Sequence, residues 1–166
     1  PVRIFFGKDQ ITKIRTQIPS GNKVMLIYGG GSIIRNGVYG KIKDALAQFE
    51  VIEFGGVEPN PVYETCMKAV EIIKDKKIDF LLAAGGGSVI DATKFIGAAV
   101  LYRFGDPWNI LTKNIAVTDS LSFGVILTLP ATGSEMNKNS VISRKSTTEK
   151  LAFSSPYSYP KFSVLL

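Results

Sequence analysis

Short apolar runs and longer amphipathic stretches alternate along most of this chain. The apolar runs are uninterrupted, which is typical of strands buried on both faces of a sheet. They predict strands at residues 2–6, 23–28, 51–54, 79–84, 124–129 and 161–166, with shorter candidates at 141–145 and 152–153. Apolar residues at helical spacing predict helices at residues 10–18, 33–49, 62–77 and 88–101. This alternation predicts an α/β fold, a parallel sheet with helices on both faces.

Two of the predicted strands run directly into the tetrapeptide Gly-Gly-Gly-Ser, at residues 29–32 and 85–88, and a predicted helix follows each. Glycine lacks a Cβ, so the backbone can turn tightly and an anion can approach its amide groups closely. The start of a helix adds unpaired N–H donors and the positive end of the helix dipole. Two such turns in one parallel-sheet unit indicate a ligand with two anionic ends, such as a dinucleotide. A tight turn that binds nothing is the alternative.

Neither turn matches the usual nucleotide fingerprints. Ile34 and Ile90 stand where G-x-G-x-x-G has its third glycine, and no G-x-x-x-x-G-K-[ST] sequence occurs. The second turn is the sharper candidate, because Ser88 could cap the helix and Asp91 lies in its predicted first turn. Asp91 could stabilise the helix dipole, or it could contact a ribose or nicotinamide.

A third polar loop follows the strand predicted at residues 124–129. Its hydroxyl-bearing residues Thr128, Thr132 and Ser134 could hydrogen-bond a nucleotide. Alternatively they cap the segment that follows, with Glu135 nearby.

The charge pattern gives little indication of a nucleic-acid partner. The formal net charge is +6 at pH 7, but the lysines and arginines are scattered. The densest group, residues 74–77, closes a predicted helix, where cations favour the helix dipole. No aromatic and basic platform accompanies it, so we expect no nucleic-acid partner. No stretch approaches the ~20 apolar residues that a membrane span needs, and we expect no membrane association.

Cysteine and histidine usage narrows the compartment and the chemistry. Cys66 is the single cysteine, which leaves no disulfide framework and favours a reducing cytoplasm. Its spacing from Ala69, Val70 and Ile73 predicts a small buried residue on a helix. The chain contains no histidine, so a histidine base or a histidine-held metal cannot come from these residues.

Several longer motifs follow one another in a fixed order. They are EFGGVEPNP at residues 53–61, GGGSVIDATK at 85–94, DPW at 106–108, LTLPATGSE at 127–135 and VISRK at 141–145. Together they resemble the iron-containing (group III) alcohol dehydrogenases, above all the branch of butanol dehydrogenases and NADPH-dependent aldehyde reductases. The resemblance implies a two-domain enzyme: a Rossmann-like nucleotide-binding domain, here residues 1–166, and a C-terminal helical domain that holds a divalent metal, iron or zinc.

The resemblance also implies roles for particular residues. Those that would bind the pyrophosphate and the nicotinamide end are Gly86, Gly87, Ser88 and Asp91. Those that would line the other side of the cofactor are Thr128, Thr132, Ser134 and Asn137. Lys150 would reach a ribose or a phosphate. The helix predicted to begin at Ser88 supplies a physical reason for a diphosphate at that point.

The first glycine turn bears on the choice between NADP and NAD. In family members that use NAD, an aspartate commonly stands at the position of Gly30. A carboxylate there would accept a hydrogen bond from the ribose 2′-hydroxyl and repel a 2′-phosphate. With Gly29, Gly30 and Ser32 instead, amide and hydroxyl donors can face a phosphate. These residues therefore favour NADP.

The metal ligands that the resemblance implies are missing from the sequence. They are an aspartate and three histidines, and the aspartate would follow directly on the apolar run that ends at Leu166. We therefore expect a fragment that is inactive by itself and carries no catalytic or metal-binding residue. The full-length enzyme, which could be a homodimer, would transfer a hydride reversibly between NADP(H) and a primary alcohol or aldehyde.

Two alternatives stay open at this point. One is a relative with the same nucleotide domain and different chemistry, such as a glycerol dehydrogenase or a dehydroquinate synthase. The other is a stand-alone nucleotide-binding module without catalysis.

Overall fold

A computed structural model describes residues 2–113, 115–129 and 133–166. The strands are β1 Arg3–Phe6, β2 Lys23–Tyr28, β3 Glu50–Phe54, β4 Phe80–Gly85, β5 Ser122–Leu127, β6 Asn139–Arg144, β7 Glu149–Ser154 and β8 Phe162–Leu165. The α-helices are α1 Ile14–Gln17, α2 Ser32–Arg35, α3 Val38–Ala45, α4 Tyr63–Lys76, α5 Gly87–Leu101 and α6 Asn109–Thr112. Short 3₁₀ segments cover Lys8–Lys13, Ser134–Met136 and Pro156–Ser158.

The main sheet has six strands in the order β1-β8-β5-β4-β2-β3, and every neighbouring pair is parallel. Side chains on β2 point alternately to its two faces. Met25 and Ile27 belong to the apolar cluster that includes α4 and α5, whereas Val24 and Leu26 belong to the cluster that includes α1 and α3. Both faces of the sheet are therefore covered, and the predicted Rossmann-like α/β fold is confirmed.

The region predicted as one helix over residues 33–49 forms two helices instead. α2 ends at Arg35 and α3 begins at Val38. Between them Gly37 has φ 81, a left-handed conformation that interrupts a helix. The Asn36 side chain accepts a hydrogen bond from the Val38 amide at 3.1 Å and so starts the second helix. The single-helix prediction is wrong for this reason.

Two other predicted elements are displaced. The helix expected at residues 10–18 begins as the 3₁₀ segment Lys8–Lys13 and becomes α-helical only at Ile14. The strand expected at residues 124–129 is β5, which ends at Leu127 because its partner β4 ends opposite it at Gly85. Leu129 consequently lies in a loop, with 69% of its surface exposed.

Strands β6 and β7 form an antiparallel hairpin outside the main sheet. The hairpin is attached to the start of α4, where the Glu64 carboxylate accepts hydrogen bonds from the amides of Lys145 at 3.0 Å and Ser146 at 3.2 Å. The Arg144 guanidinium lies over the Tyr63 ring, 4.8 Å from its centroid. These contacts hold the hairpin beside α4 and α5, the position that matters for the candidate site.

Cys66 is 1% exposed on α4, as predicted, and burial raises the pKa of its thiol. Within the described ranges, no helix combines the length and the apolar character needed to cross a membrane.

Candidate functional site

The two Gly-Gly-Gly-Ser turns lie side by side at one edge of the sheet. Their preceding strands, β2 and β4, are parallel neighbours, with Tyr28 paired to Ala84. A Cβ placed on Gly29 would come within 3.3 Å of the Val57 carbonyl oxygen and 3.6 Å of a Val89 methyl group. The first turn therefore packs against the start of α5, and the two candidate phosphate sites share one edge.

The first turn is open to solvent. Gly30 and Ser32 are exposed, and a Cβ on Gly30 would meet no atom of the described residues within 4 Å. Gly31 has φ 102 and caps α2. The guanidinium of Arg35 lies close by, with Nη1 3.4 Å from the position of a Gly31 Cβ. A small turn with a cation beside it suits an anion.

One carboxylate, that of Glu53 near the end of β3, is hydrogen-bonded by three side chains close to this turn. Glu53 accepts hydrogen bonds from Tyr39 at 2.6 Å and from Lys43 at 3.1 Å, with Tyr28 at 3.4 Å. Burial alone would raise the pKa of Glu53, but the hydrogen bonds from Tyr39 and Lys43 lower it overall. The negative charge of Glu53 is therefore balanced by Lys43 within the protein.

The second glycine turn leaves less space for a side chain than the first. Gly85 has φ 155, and a Cβ on it would approach a Val89 methyl group to 2.8 Å. Gly86, in extended conformation, is the N-cap of α5 and has no side chain that could cap this helix. The prediction that Ser88 caps the helix is therefore wrong, because α5 starts one residue earlier, at Gly87. The first amides of α5 have no intrahelical acceptor, as at any helix start.

A cleft of about 360 Å³ opens at the start of α5. Gly87, Ser88 and Asp91 line it from the helix, and Lys150 and Asn60 line it from the hairpin and the loop before α4. The Lys150 ammonium is 3.4 Å from the Asn60 side-chain oxygen. Helix amides, a hydroxyl and an ammonium thus surround one space, which is a donor set suited to phosphate.

Asp91 does not lie in the first turn of α5, so its predicted pairing with the helix dipole is wrong. Its carboxylate instead accepts hydrogen bonds from the Ser134 hydroxyl at 2.7 Å and from the Val141 amide at 3.3 Å. Burial raises the pKa of Asp91, although these hydrogen bonds and Lys94 oppose the shift. Asp91 therefore joins the helix, the loop and the hairpin while it lines the cleft.

Lys94 is a residue that sequence analysis missed. Its side chain is fully buried, and its ammonium group donates hydrogen bonds to the segment that runs from Ser134 to Asn139. The signal was a lysine within the otherwise apolar face of α5. The hydroxyl of Ser134 and the side-chain oxygen of Asn137 are both engaged by Lys94, and their contact with a cofactor stays a prediction.

The third polar loop also reaches this edge. The Thr128 amide donates a hydrogen bond to the Gly85 carbonyl oxygen at 3.0 Å, so Thr128 lies beside the second glycine turn. Thr132 lies outside the described residues. The structure thus brings together the predicted residues of both glycine turns, Asp91, Thr128 and Lys150.

The metal that the family resemblance implies needs ligands that the described residues do not group together. The chain contains no histidine. In the part that the structure describes, no three His, Cys, Asp or Glu side chains are grouped so that they could hold an ion. The donor set at the cleft is suited to anions.

The sequence is similar to alcohol dehydrogenases and aldehyde reductases of bacteria. The NADPH-dependent aldehyde reductase YqhD of Escherichia coli (strain K12) is 52% identical over 167 residues, covering 99% of this chain and 43% of that protein. A probable NADH-dependent butanol dehydrogenase 1 of Bacillus subtilis (strain 168) is 49% identical over 168 residues, with coverage of 99% and 43%. The chain thus spans about 43% of the length of these relatives.

Solved structures agree with the observed fold. The crystal structure of Escherichia coli K-12 YqhD superimposes with a TM-score of 0.96 at 51% identity, covering 99% of this chain and 43% of that one. The structure of NADH-dependent butanol dehydrogenase A from Thermotoga maritima gives a TM-score of 0.95 at 41% identity, with coverage of 99% and 42%. The profile of the family described as iron-containing alcohol dehydrogenase matches residues 1–165. On sequence and structure alike, this chain belongs to the iron-containing alcohol dehydrogenase family.

Proposed function

We propose that this chain is the nucleotide-binding part of a metal-dependent alcohol dehydrogenase or aldehyde reductase, and that the cleft at the start of α5 binds NADP(H). The observation that carries the proposal is the cleft, in which Gly87 and Ser88 of the helix stand across from Lys150 of the hairpin. A diphosphate there would meet donors from both walls and the positive end of the helix dipole. The named relatives, one NADPH-dependent and one NADH-dependent, support a dinucleotide.

Each wall of the cleft would have its own task. The amides of Gly86, Gly87 and Ser88 would hold the pyrophosphate, and Lys150 would neutralise a phosphate or contact a ribose. Asp91 and Thr128 would orient the nicotinamide end. When bound, the nicotinamide supplies the hydride. The predicted contacts of Thr132, Ser134 and Asn137 with the cofactor belong to the same proposal.

We propose NADP rather than NAD. The names of the relatives include both cofactors, so the proposal rests on the residues at the first glycine turn. Among the described residues no atom lies within 4 Å of a Cβ on Gly30, Ser32 is exposed beside it, and the Glu53 carboxylate at the end of β3 is paired with Lys43. Arg35 adds a cation at the same turn. A 2′-phosphate would therefore meet donors and a positive charge, with no local repulsion.

The remaining parts of the enzyme are proposed from family membership. The substrate would be a primary alcohol or aldehyde, and the divalent metal would be held by residues outside this chain. A second, helical domain, a homodimer and a cytoplasmic location belong to the same proposal. An assay of the intact protein with Fe²⁺ or Zn²⁺ distinguishes this enzyme from two alternatives. These are a stand-alone nucleotide module and an enzyme with the chemistry of a glycerol dehydrogenase or dehydroquinate synthase. Oxidation of NADPH by a short-chain aldehyde supports the dehydrogenase, and its absence supports the alternatives.

Replacing Lys150 with methionine tests the cleft directly. We expect roughly tenfold weaker NADPH binding, because one charge-assisted hydrogen bond is lost while the apolar stem is kept. Fluorescence titration of NADPH measures the dissociation constant. Lys145→Met is the matched control, since Lys145 is exposed at the hairpin turn and does not line the cleft. Equal affinities of the two variants would place the phosphates elsewhere.

A further inference from the structure

The ammonium group of Lys94 is fully buried and surrounded by acceptors from one short segment. Its Nζ is 2.7 Å from the Ser134 carbonyl oxygen, 3.0 Å from the Ser134 hydroxyl, 3.0 Å from the Asn137 side-chain oxygen and 2.9 Å from the Asn139 carbonyl oxygen. Lys94 does not line the cleft. A buried charge persists only where its donors are satisfied. All three N–H groups of the ammonium can find acceptors here.

These contacts fasten a loop to a helix. The segment from Ser134 to Asn139 consists of the short 3₁₀ turn Ser134–Met136, two residues without regular structure, and Asn139 at the start of β6. Its carbonyl and side-chain oxygens converge on one point of α5. A neutral amine has only two N–H donors and would leave at least two of these four acceptors without a hydrogen bond from Lys94, whereas the ammonium can serve three. The charged form of Lys94 is therefore what holds the loop on the helix.

The same contacts determine how Asp91 is oriented. The Ser134 hydroxyl accepts a hydrogen bond from Lys94, so its own proton is directed to the Asp91 carboxylate, 2.7 Å away. The chain of donors runs from Lys94 through Ser134 to Asp91. Asp91 lines the cleft, so the orientation of a cleft residue depends on a residue that does not reach it.

We propose that Lys94 is a positioning residue for the nucleotide cleft, which holds the segment from Ser134 to Asn139 on α5 and, through Ser134, orients Asp91 toward the ligand. The inference rests on the proposed function, since it names the residue that prepares the same cleft. Lys94 acts through its neighbours and touches neither the nucleotide nor the substrate.

The ionisation of Lys94 should make nucleotide binding depend on pH. Burial lowers the pKa of Lys94 to about 8, and Asp91 on the same helix and Glu135 in the adjoining 3₁₀ turn oppose the shift. These are the charged groups that act on it within the described residues. Below pH 8 the ammonium is present and the loop is held, whereas above pH 8 the proton is lost and NADPH binding weakens. A purely space-filling role would produce no such pH dependence.

The test uses Lys94→Met, which keeps an unbranched side chain up to the ε position and removes the ammonium donors. We expect NADPH binding to weaken roughly tenfold at about pH 7. We also expect the wild-type decline in affinity between about pH 7 and about pH 9.5 to be absent from the variant. Thr93→Val is the matched control, since Thr93 is buried on the same helix and bonds only to the Val89 carbonyl oxygen. It should retain wild-type affinity and its pH profile.

The outcomes separate this inference from the proposed function. If the wild-type protein binds neither NADPH nor NADH, the proposed function fails. If it binds NADPH and Lys94→Met shows the same affinity and pH profile as the wild type, the positioning role is wrong and the function stands. Circular dichroism checks folding. If Lys94→Met does not fold, the pH profile of Ser134→Ala decides, since this variant breaks the link to Asp91 and keeps the Ser134 carbonyl. Loss of the decline in affinity between about pH 7 and about pH 9.5 supports the inference, and a decline equal to that of the wild type overturns it, because a direct contact of Ser134 with the nucleotide would lower affinity at every pH.

Discussion

Replacing Gly30 with aspartate is expected to reverse the nucleotide preference, from NADPH to NADH. The new carboxylate would stand at the first glycine turn, where the ribose 2′ position is proposed to lie. It would repel a 2′-phosphate and accept a hydrogen bond from a 2′-hydroxyl. The substitution should fold normally, because a Cβ on Gly30 meets no atom within 4 Å. A like-charge contact in such a site costs several kcal/mol, so the ratio of the two affinities should change by about 100-fold or more.

The measurement is the ratio of the dissociation constants for NADPH and NADH. Gly30→Asn is the matched control, since it introduces the same shape without the charge and should shift the ratio far less. A wild-type protein that prefers NADH would contradict the NADP assignment. A ratio that is the same in the aspartate and asparagine variants would show that the 2′ position does not face Gly30.

Replacing Gly124 with alanine is expected to cost the most stability among single-methyl changes on the sheet. Gly124 on β5 pairs directly with Phe162 on β8, and a Cβ on Gly124 would overlap the Phe162 ring. That ring cannot move away easily, because it is fully buried and stacked on Phe80 with 6.1 Å between the centroids. Overpacking of a buried core costs about 3 kcal/mol or more when no side chain can yield. Denaturant unfolding measures the loss.

Gly40→Ala is the matched control for this change. Gly40 lies in α3 with no atom within 4 Å of a Cβ, so alanine should stabilise the helix by about 0.5–1 kcal/mol. A smaller residue opposite the new methyl group should restore part of the loss, so Phe162→Leu combined with Gly124→Ala should be more stable than the sum of the single changes predicts. Loss of less than about 0.5 kcal/mol in Gly124→Ala would contradict the packing described here.

The strands were the part of the fold most accessible from sequence. β2 was predicted with its observed bounds, Lys23–Tyr28, because a strand buried on both faces leaves an uninterrupted apolar run. The break between α2 and α3 was not predicted. The apolar spacing continues across Gly37, and only its left-handed backbone ends the first helix. Periodicity records which positions are buried, and it does not record where the backbone is interrupted.

The site shows the same division. Its glycine turns could be found because each is a contiguous stretch between a strand and a helix. The Lys94 network could not, since its acceptors lie 40 to 45 residues further along the chain and meet the lysine only in the folded state. Asp91 was assigned to the first helical turn because the start of α5 was placed one residue late. A shift of one residue in the start of a helix decides whether a carboxylate lies in the first turn, where it can interact with the helix dipole, or beyond it, where it can bond to another segment.

The order in which this chain can mature follows from the way the hairpin is attached. Asn60 and Lys150, which are in contact where they line the cleft, are 90 residues apart in sequence, and the contact between Glu64 and Lys145 spans 81 residues. Contacts of such separation form late, because closing a long loop costs entropy before any contact repays it. A ribosome must therefore release the β6–β7 segment before the proposed nucleotide cleft is complete. A nucleotide bound at the proposed cleft would stabilise only the folded chain, so it would not guide the early steps of folding.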